Sequence, residues 1–297
     1  MKVKANGIDI EIEDSGVGTG AERPVVLLIM GLGMQLVAWP PAVVQLLVDA
    51  GYRVIRFDNR DIGLSQHFDA LGTPNLVWAG LKHRLGWRID APYTLHDMAA
   101  DSIGVLDALA VAKAHVVGVS MGGMIAQRVT LAAPERVQSL TSIMSSSGAR
   151  QLPQADRKVL RVLFSRPANG TRDAIVAHYV RLYKAIGSPG FPTDEAELNQ
   201  RVAVAVDRSY HPAGAVRQMI AIAADTTRAR DLARIDKPTL VLHGQADPLV
   251  PLAHGQDTAR RIAGARFAGI EGMGHDLAAG VVERLLPQMA PFLLAHR

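Results

Sequence analysis

The chain has 297 residues, 48% of them apolar and 20% charged, with a formal net charge of +4 from 32 basic and 28 acidic side chains. This balance excludes a disordered chain, a collagen-like fibre and a coiled coil, and the length suits one core carrying an inserted subdomain. There is no cysteine, so disulfides, thiolate metal ligands and a cysteine nucleophile are excluded. No run of Lys or Arg exceeds two residues, so the basic excess reads as a solubility feature and nucleic acid is not an expected partner.

The first residues, Met1-Lys2-Val3-Lys4-Ala5-Asn6-Gly7, are not followed by an apolar stretch of signal-peptide type. The longest apolar candidates, such as Val25 to Met34, fall well short of the ~18 residues needed to cross a bilayer. A cytoplasmic location and no membrane partner are the expectations.

Short strand-like runs alternate with helical patterns. Lys2–Ala5 and Ile8–Glu13 flank Asn6-Gly7, a type I′ hairpin signal. Val25–Met30, Arg53–Phe57 and Ala114–Val119 read as central strands buried on both faces. Later strand candidates are Ser139–Met144, Thr239–His243 and Arg266–Ile270. Helical patterns cover Pro41–Ala50, Thr94–Ala112, Met121–Ala132 and Val281–Ala295, and Thr94 with Asp97 resembles an N-terminal cap. The alternation predicts an α/β fold whose eight-stranded sheet is mostly parallel, with helices on both faces.

From about residue 148 to 227 no buried strand is evident. The stretch is helical in pattern at Ala174–Ile186, Glu195–Ser209 and Ala213–Ala224. The expected organisation is a core in two parts, 1–147 and 228–297, with a helical cap at 148–227. A second stretch, Phe68–Pro92, reads as irregular.

The central motif is Gly118-Val119-Ser120-Met121-Gly122. Gly-x-Ser-x-Gly is weak alone, but here a strand-like run precedes it and a helical run follows. A sharp strand-to-helix turn lifts a serine hydroxyl above a sheet edge, and small flanking residues let neighbouring chains approach. A serine hydroxyl also needs a base. Among the ten histidines, His275 stands in Glu271-Gly272-Met273-Gly274-His275-Asp276, directly after the last strand candidate. Its two glycines are expected to give the loop freedom to aim the imidazole. His243 ends a strand and reads as structural or as a pocket wall.

The orienting acid is expected at Asp247, in the turn Gly244-Gln245-Ala246-Asp247-Pro248 after Thr239–His243. Asp276 adjoins the histidine and Asp225 lacks a preceding strand, so both are weaker candidates. Oxyanion donors are expected at the backbone N–H of Met121 and of Leu32, the latter in Met30-Gly31-Leu32-Gly33-Met34.

These motifs resemble the α/β-hydrolase superfamily over essentially the whole chain, in the order Ser120, Asp247, His275. Arg56-Phe57-Asp58-Asn59-Arg60-Asp61-Ile62-Gly63 resembles the superfamily's loop after the fourth strand. Met30-Gly31 and Trp39-Pro40 are similar to bacterial esterases of the aclacinomycin methylesterase type. The resemblance implies a Ser-His-Asp carboxylesterase with a helical cap. Many relatives begin the oxyanion loop with His-Gly, so no role of that histidine carries over to Met30. Asp58, Arg60 and Asp61 are expected to form local ion pairs.

The reaction expected is hydrolysis of small or medium carboxylic esters through an acyl-enzyme, with activity falling at acid pH as His275 is protonated. Gly31, Gly33, Met34, Met144 and Val250 are candidate substrate contacts. Val162, Leu163, Phe164, Tyr179, Tyr183, Met219 and Ile222 read mostly as helix core. No cofactor and no metal are expected: there is no Walker sequence, no His-x-x-x-His pair and no third glycine of a dinucleotide fingerprint. The expected partner is a small-molecule ester, and a homo-oligomer is compatible with these features. The same triad suits a lactonase, an amidase, a carbon–carbon hydrolase or a perhydrolase side reaction. A non-catalytic ligand-binding member of the fold is a further alternative.

Overall fold

The computed structural model describes residues 1–16 and 23–297. Eight strands form one sheet: β1 (Lys2–Ala5), β2 (Ile8–Asp14), β3 (Val25–Ile29), β4 (Arg53–Phe57), β5 (Ala114–Val119), β6 (Val137–Ile143), β7 (Thr239–Gly244) and β8 (Arg266–Ile270). Their spatial order is β1-β2-β4-β3-β5-β6-β7-β8. The β1–β2 and β2–β4 pairs are antiparallel and the rest are parallel. Asn6 and Gly7 both hold positive φ, as a type I′ hairpin requires.

Burial explains the strand sequences. β3 and β5 are buried at every residue, and both are apolar runs interrupted only by His115 on β5. β2 lies towards the edge and alternates, with Ile8, Ile10 and Ile12 inward. Helices α1 (Pro41–Asp49) and α11 (Ala279–Leu294) cover one face, burying Val43, Leu47, Val281, Leu285 and Phe292. Helices α3 (Leu95–Ala108) and α4 (Met121–Ala132) cover the other, burying Leu95, Met98, Val105, Ile125 and Val129. The capping box at the start of α3 is present, with Thr94 and Asp97 each accepting the other's backbone N–H.

Helices α2 (Leu76–Leu85) and α10 (Ala253–Arg261) are among those that lie where no regular element is expected from sequence. Helix α2 falls inside the stretch read as irregular. It buries only Ala79 and leaves Val77, Trp78, Leu81 and Leu85 exposed, so it carries no inward apolar stripe. Its signals are at its ends: Asn75 accepts from the Trp78 N–H, and Gly86 closes it in the left-handed conformation. Helix α10 turns Gly255, Asp257 and Thr258 inward, again without an apolar stripe.

Between β6 and β7 the chain runs through α5 (Arg157–Leu163), α6 (Arg172–Ile186), α7 (Glu195–Arg208), α8 (Pro212–Ala224) and α9 (Arg228–Asp231). Val176, Val180, Leu198 and Val202 make a small core of their own, with Tyr179 and Tyr183 packed against it. No helix among the described residues is long and apolar enough to cross a membrane.

The core also sets a pH dependence. His115 on β5 is fully buried, with Nδ1 2.7 Å from Ser139 Oγ and Nε2 without a partner among the described residues. Burial, helped by the charges of His296 and Arg297, pushes its imidazole down to about 4. A free imidazole titrates near ~6.5. Between these values the unfolded chain binds a proton that the folded chain does not. Stability is therefore full above ~6.5 and falls as pH drops towards ~4. His115 should account for about 2 kcal/mol of the stability lost between about pH 7 and pH 5. Denaturant midpoints at the two pH values test this: His115→Asn should lose less than the wild type, and equal losses would contradict it.

Candidate active site

β5 ends at Val119 and α4 begins at Met121, leaving Ser120 alone in the turn. Ser120 has φ 56° and ψ −120°, a conformation a residue with a Cβ rarely adopts. Such strain costs about 1–3 kcal/mol and persists only where the surroundings impose it. Here they do. The Ser120 N–H donates to Ile143 O at 2.9 Å, and Ser145 Oγ donates to Ser120 O at 2.7 Å. The flanking glycines are explained by close approach. A Cβ on Gly122 would lie 2.1 Å from Ile29 O, and one on Gly118 would lie 2.1 Å from Gly122 O. The N-terminus of α4 places positive dipole beside the hydroxyl.

Ser120 Oγ lies 3.0 Å from His275 Nε2, and His275 Nδ1 lies 2.7 Å from Asp247 Oδ2. The histidine and the aspartate are buried; the serine is partly exposed. An ionised carboxylate only accepts, so Nδ1 carries the ring proton and Nε2 is left to accept from the serine. The second carboxylate oxygen, Oδ1, accepts the N–H groups of Leu249 and Val250 at 2.9 and 2.8 Å. His243 supports that turn from beneath, with Nε2 2.7 Å from Val250 O. Burial holds the His243 imidazole below its usual range, in the neutral form.

The glycines of the histidine loop do not act as the sequence suggests. Rather than leaving the ring free to be aimed, they pack closely against the end of α6. A Cβ on Gly274 would lie 2.4 Å from Gly187 O, and one on Gly272 would lie 2.9 Å from Gly190 Cα. The His275 N–H donates to Ile186 O at 2.7 Å, and the Gly274 N–H donates to Ser188 Oγ at 2.8 Å. Asp276 accepts from Ser188 Oγ and Asp225 pairs with Arg128 and Arg228, so neither rival acid is the residue bonded to His275.

The loop after β3 reaches the same point. A Cβ on Gly31 would sit 3.3 Å from Ser120 Cβ. Among the described residues the N–H groups of Leu32 and Met121 have no hydrogen-bond acceptor. Met34 N–H donates to Gly31 O at 3.2 Å, which orients the Gly31–Leu32 peptide. In a trans peptide the N–H points opposite to the carbonyl, so the Leu32 N–H is directed away from Met34.

The loop after β4 holds this arrangement in place. Its charges pair over long range rather than locally as expected. Asp58 accepts the N–H groups of Leu36 and Leu64 and an Arg208 Nη1 at 2.7 Å. Arg60 binds Asp101 through Nε and Nη2 at 2.6 and 2.7 Å, and Asp61 takes both arms of Arg217 at 2.6 and 2.8 Å. Burial pushes the Asp61 carboxyl up, but the hydrogen bonds from Arg217, the Phe68 N–H and Tyr93, with the Arg217 charge, together outweigh it and hold it below the usual range. The Asn59 side chain donates to Met30 O at 2.9 Å.

The remaining candidates are distributed differently. Met34 and Val250 are partly exposed, whereas Met144 is 1% exposed and belongs to the core beneath β6. Gly33 meets α8 at Ala215. Phe164 is largely exposed, and Ile222 packs on the main core. His67, Asp69 and His211 bring ligand-type atoms within 4.8 Å of one another. The cation among them is Arg217, whose Nη2 lies 3.0 Å from His211 Nε2 and 3.3 Å from Asp69 Oδ1.

Comparison with known proteins gives the same architecture. Residues 24–278 match the family model described as alpha/beta hydrolase fold. The chain is 31% identical to the rhodomycin D methylesterase DauP of Streptomyces sp. (strain C5), over 93% of each chain. It is 32% identical to the putative carbamate hydrolase RutD of Variovorax paradoxus, over 80% of each. Among solved structures, a meta-cleavage product hydrolase from Pseudomonas fluorescens IP01 superposes with a TM-score of 0.72 at 21% identity, covering 100% of this chain and 98% of that one. The family model thus spans the strand carrying Ser120, the turn carrying Asp247 and the loop carrying His275, and the chain belongs to the α/β-hydrolase fold family.

Proposed function

We propose that the protein is a serine carboxylic ester hydrolase with Ser120 as nucleophile, His275 as base and Asp247 as orienting acid. The observation that carries this is the continuous bonded line from Asp247 Oδ2 through the imidazole to Ser120 Oγ, ending on a hydroxyl held at a strained turn. In the first step Ser120 Oγ attacks the ester carbonyl carbon while His275 Nε2 takes its proton. The imidazolium is stabilised by Asp247, and the oxyanion by the N–H groups of Leu32 and Met121. The carbon–oxygen bond then breaks, and the alcohol leaves with the proton from His275. Water, deprotonated by the same nitrogen, cleaves the acyl-enzyme to the free acid.

Relatives named as methylesterases put methyl esters first among substrates to try. Helices α5 to α8 act as the cap in this reading, and apolar residues such as Met34 suit short or medium acyl groups. Turnover of p-nitrophenyl acetate, p-nitrophenyl butyrate and methyl butyrate by the purified protein is the expected result. No turnover of any ester together with cleavage of a diketone would overturn the ester reading.

A further inference from the structure

One fully buried side chain of the helical segment, Gln218 on α8, is used by no step above. Its Oε1 accepts the Gly33 N–H at 2.9 Å, and its Nε2 donates to Arg60 O at 2.9 Å. The orientation of this amide follows from chemistry. Gly33 N–H can only donate and Arg60 O can only accept, so reversing the amide would lose both bonds.

The Gly33 bond fixes the Leu32–Gly33 peptide, immediately after the N–H expected to bind the oxyanion. Without it, Leu32 lies between two glycines, one of them at φ +67°, and the only remaining backbone bond within the turn is Met34 N–H to Gly31 O. The second bond ties the same amide to the loop after β4, whose Asn59 holds Met30 O at the start of the turn. Gln218 therefore joins both ends of the oxyanion turn to one helix of the segment between β6 and β7. That helix is itself fastened by Arg217 to Asp61.

We propose that Gln218 is a positioning residue for ester hydrolysis: it holds the Leu32 amide aimed at the developing oxyanion, so that the placement of α8 governs the rate of the chemical step. The inference rests on the esterase reading above. A group of this kind contributes more in the transition state than in substrate binding, so its loss should lower kcat more than it raises KM.

The test compares an ester with its thionoester, in which sulfur replaces the carbonyl oxygen and accepts hydrogen bonds weakly. A working oxyanion hole favours the oxygen ester, and a damaged one loses that preference. Gln218→Met keeps the side-chain length and removes both hydrogen bonds. It should lower kcat on p-nitrophenyl butyrate by about 10- to 100-fold, with KM within about threefold. It should also reduce the oxygen-to-sulfur preference in kcat/KM by a similar factor. Gln218→Glu, which when protonated can make both bonds, should keep most of the preference. General damage to the fold would lower both substrates equally and leave the ratio unchanged. An unchanged ratio in Gln218→Met overturns the proposal. If that variant does not fold, Gln218→Asn, one methylene too short, decides by the same ratio. The wild type and Ser120→Ala are run alongside. No ester turnover by the wild type means failure of the esterase reading; turnover with an unmoved ratio means failure of the role of Gln218 alone.

Discussion

Ser120→Ala should reduce ester turnover by roughly 10⁵-fold or more, leaving only what the oxyanion donors and binding supply. The size follows from the geometry. Ser120 Oγ is the hydroxyl bonded to His275 Nε2, and an alanine leaves the base with nothing to deprotonate. Folding should be spared, because the backbone bonds that impose the turn, Ser120 N–H to Ile143 O and Ser145 Oγ to Ser120 O, do not use the side chain. Alanine adopts the positive φ no better than serine, so the strain is retained rather than increased. Steady-state kinetics on p-nitrophenyl butyrate, beside a thermal melt, measures both halves. A variant that melts normally and keeps more than a few per cent of the rate would exclude Ser120 as nucleophile. A ligand-binding protein that has retained the fold would instead show no ester turnover in the wild type and would keep its binding in Ser120→Ala.

The second large effect is expected at Asp247. In Asp247→Asn the amide oxygen has a strong reason to face Leu249 and Val250, whose N–H groups donate at 2.9 and 2.8 Å. The amide nitrogen then faces His275 Nδ1. Two donors cannot meet there, so the neutral ring moves its proton to Nε2 and can no longer accept from Ser120. The predicted loss in kcat is on the order of 10³- to 10⁴-fold with little change in KM, as for other triads whose tautomer is inverted. Because His243 and the backbone of the turn still hold residues 247–250, the melting temperature should move little. A loss below tenfold would mean that another carboxylate orients the imidazole. Asp276 is the nearest rival in sequence, and its bond to Ser188 already engages it.

The parts of this molecule that sequence reveals are those whose physics is local. β3 is apolar at every position, and β5 at all but His115, because both faces are covered, and the Ser120 turn announces itself by small residues packed at van der Waals limits. Chain order then suggested Asp247 and His275, which the fold brings into hydrogen-bond distance. What sequence hid depends on partners far along the chain. Arg60, Asp58 and Asp61 looked like a local charge cluster, yet their partners lie 41, 150 and 156 residues away. Gly272 and Gly274 looked like a flexible pair, and only the packed end of α6 shows why a side chain is excluded there. Gln218 carries no motif at all, and its role is visible only once α8 lies over Gly33. Helix α2 is illegible in the sequence because its apolar residues face outward, so the usual inward stripe is missing.

The convergence of Ser120, His275 and the two free N–H groups on one reacting carbon is tested most directly by a crystal structure of the protein inactivated with a p-nitrophenyl phosphonate. The tetrahedral phosphorus should be bonded to Ser120 Oγ alone. Its phosphoryl oxygen should lie within hydrogen-bond distance of the N–H groups of Leu32 and Met121, with His275 beside the adduct. An adduct on another residue, or a phosphoryl oxygen facing away from both amides, would contradict the account.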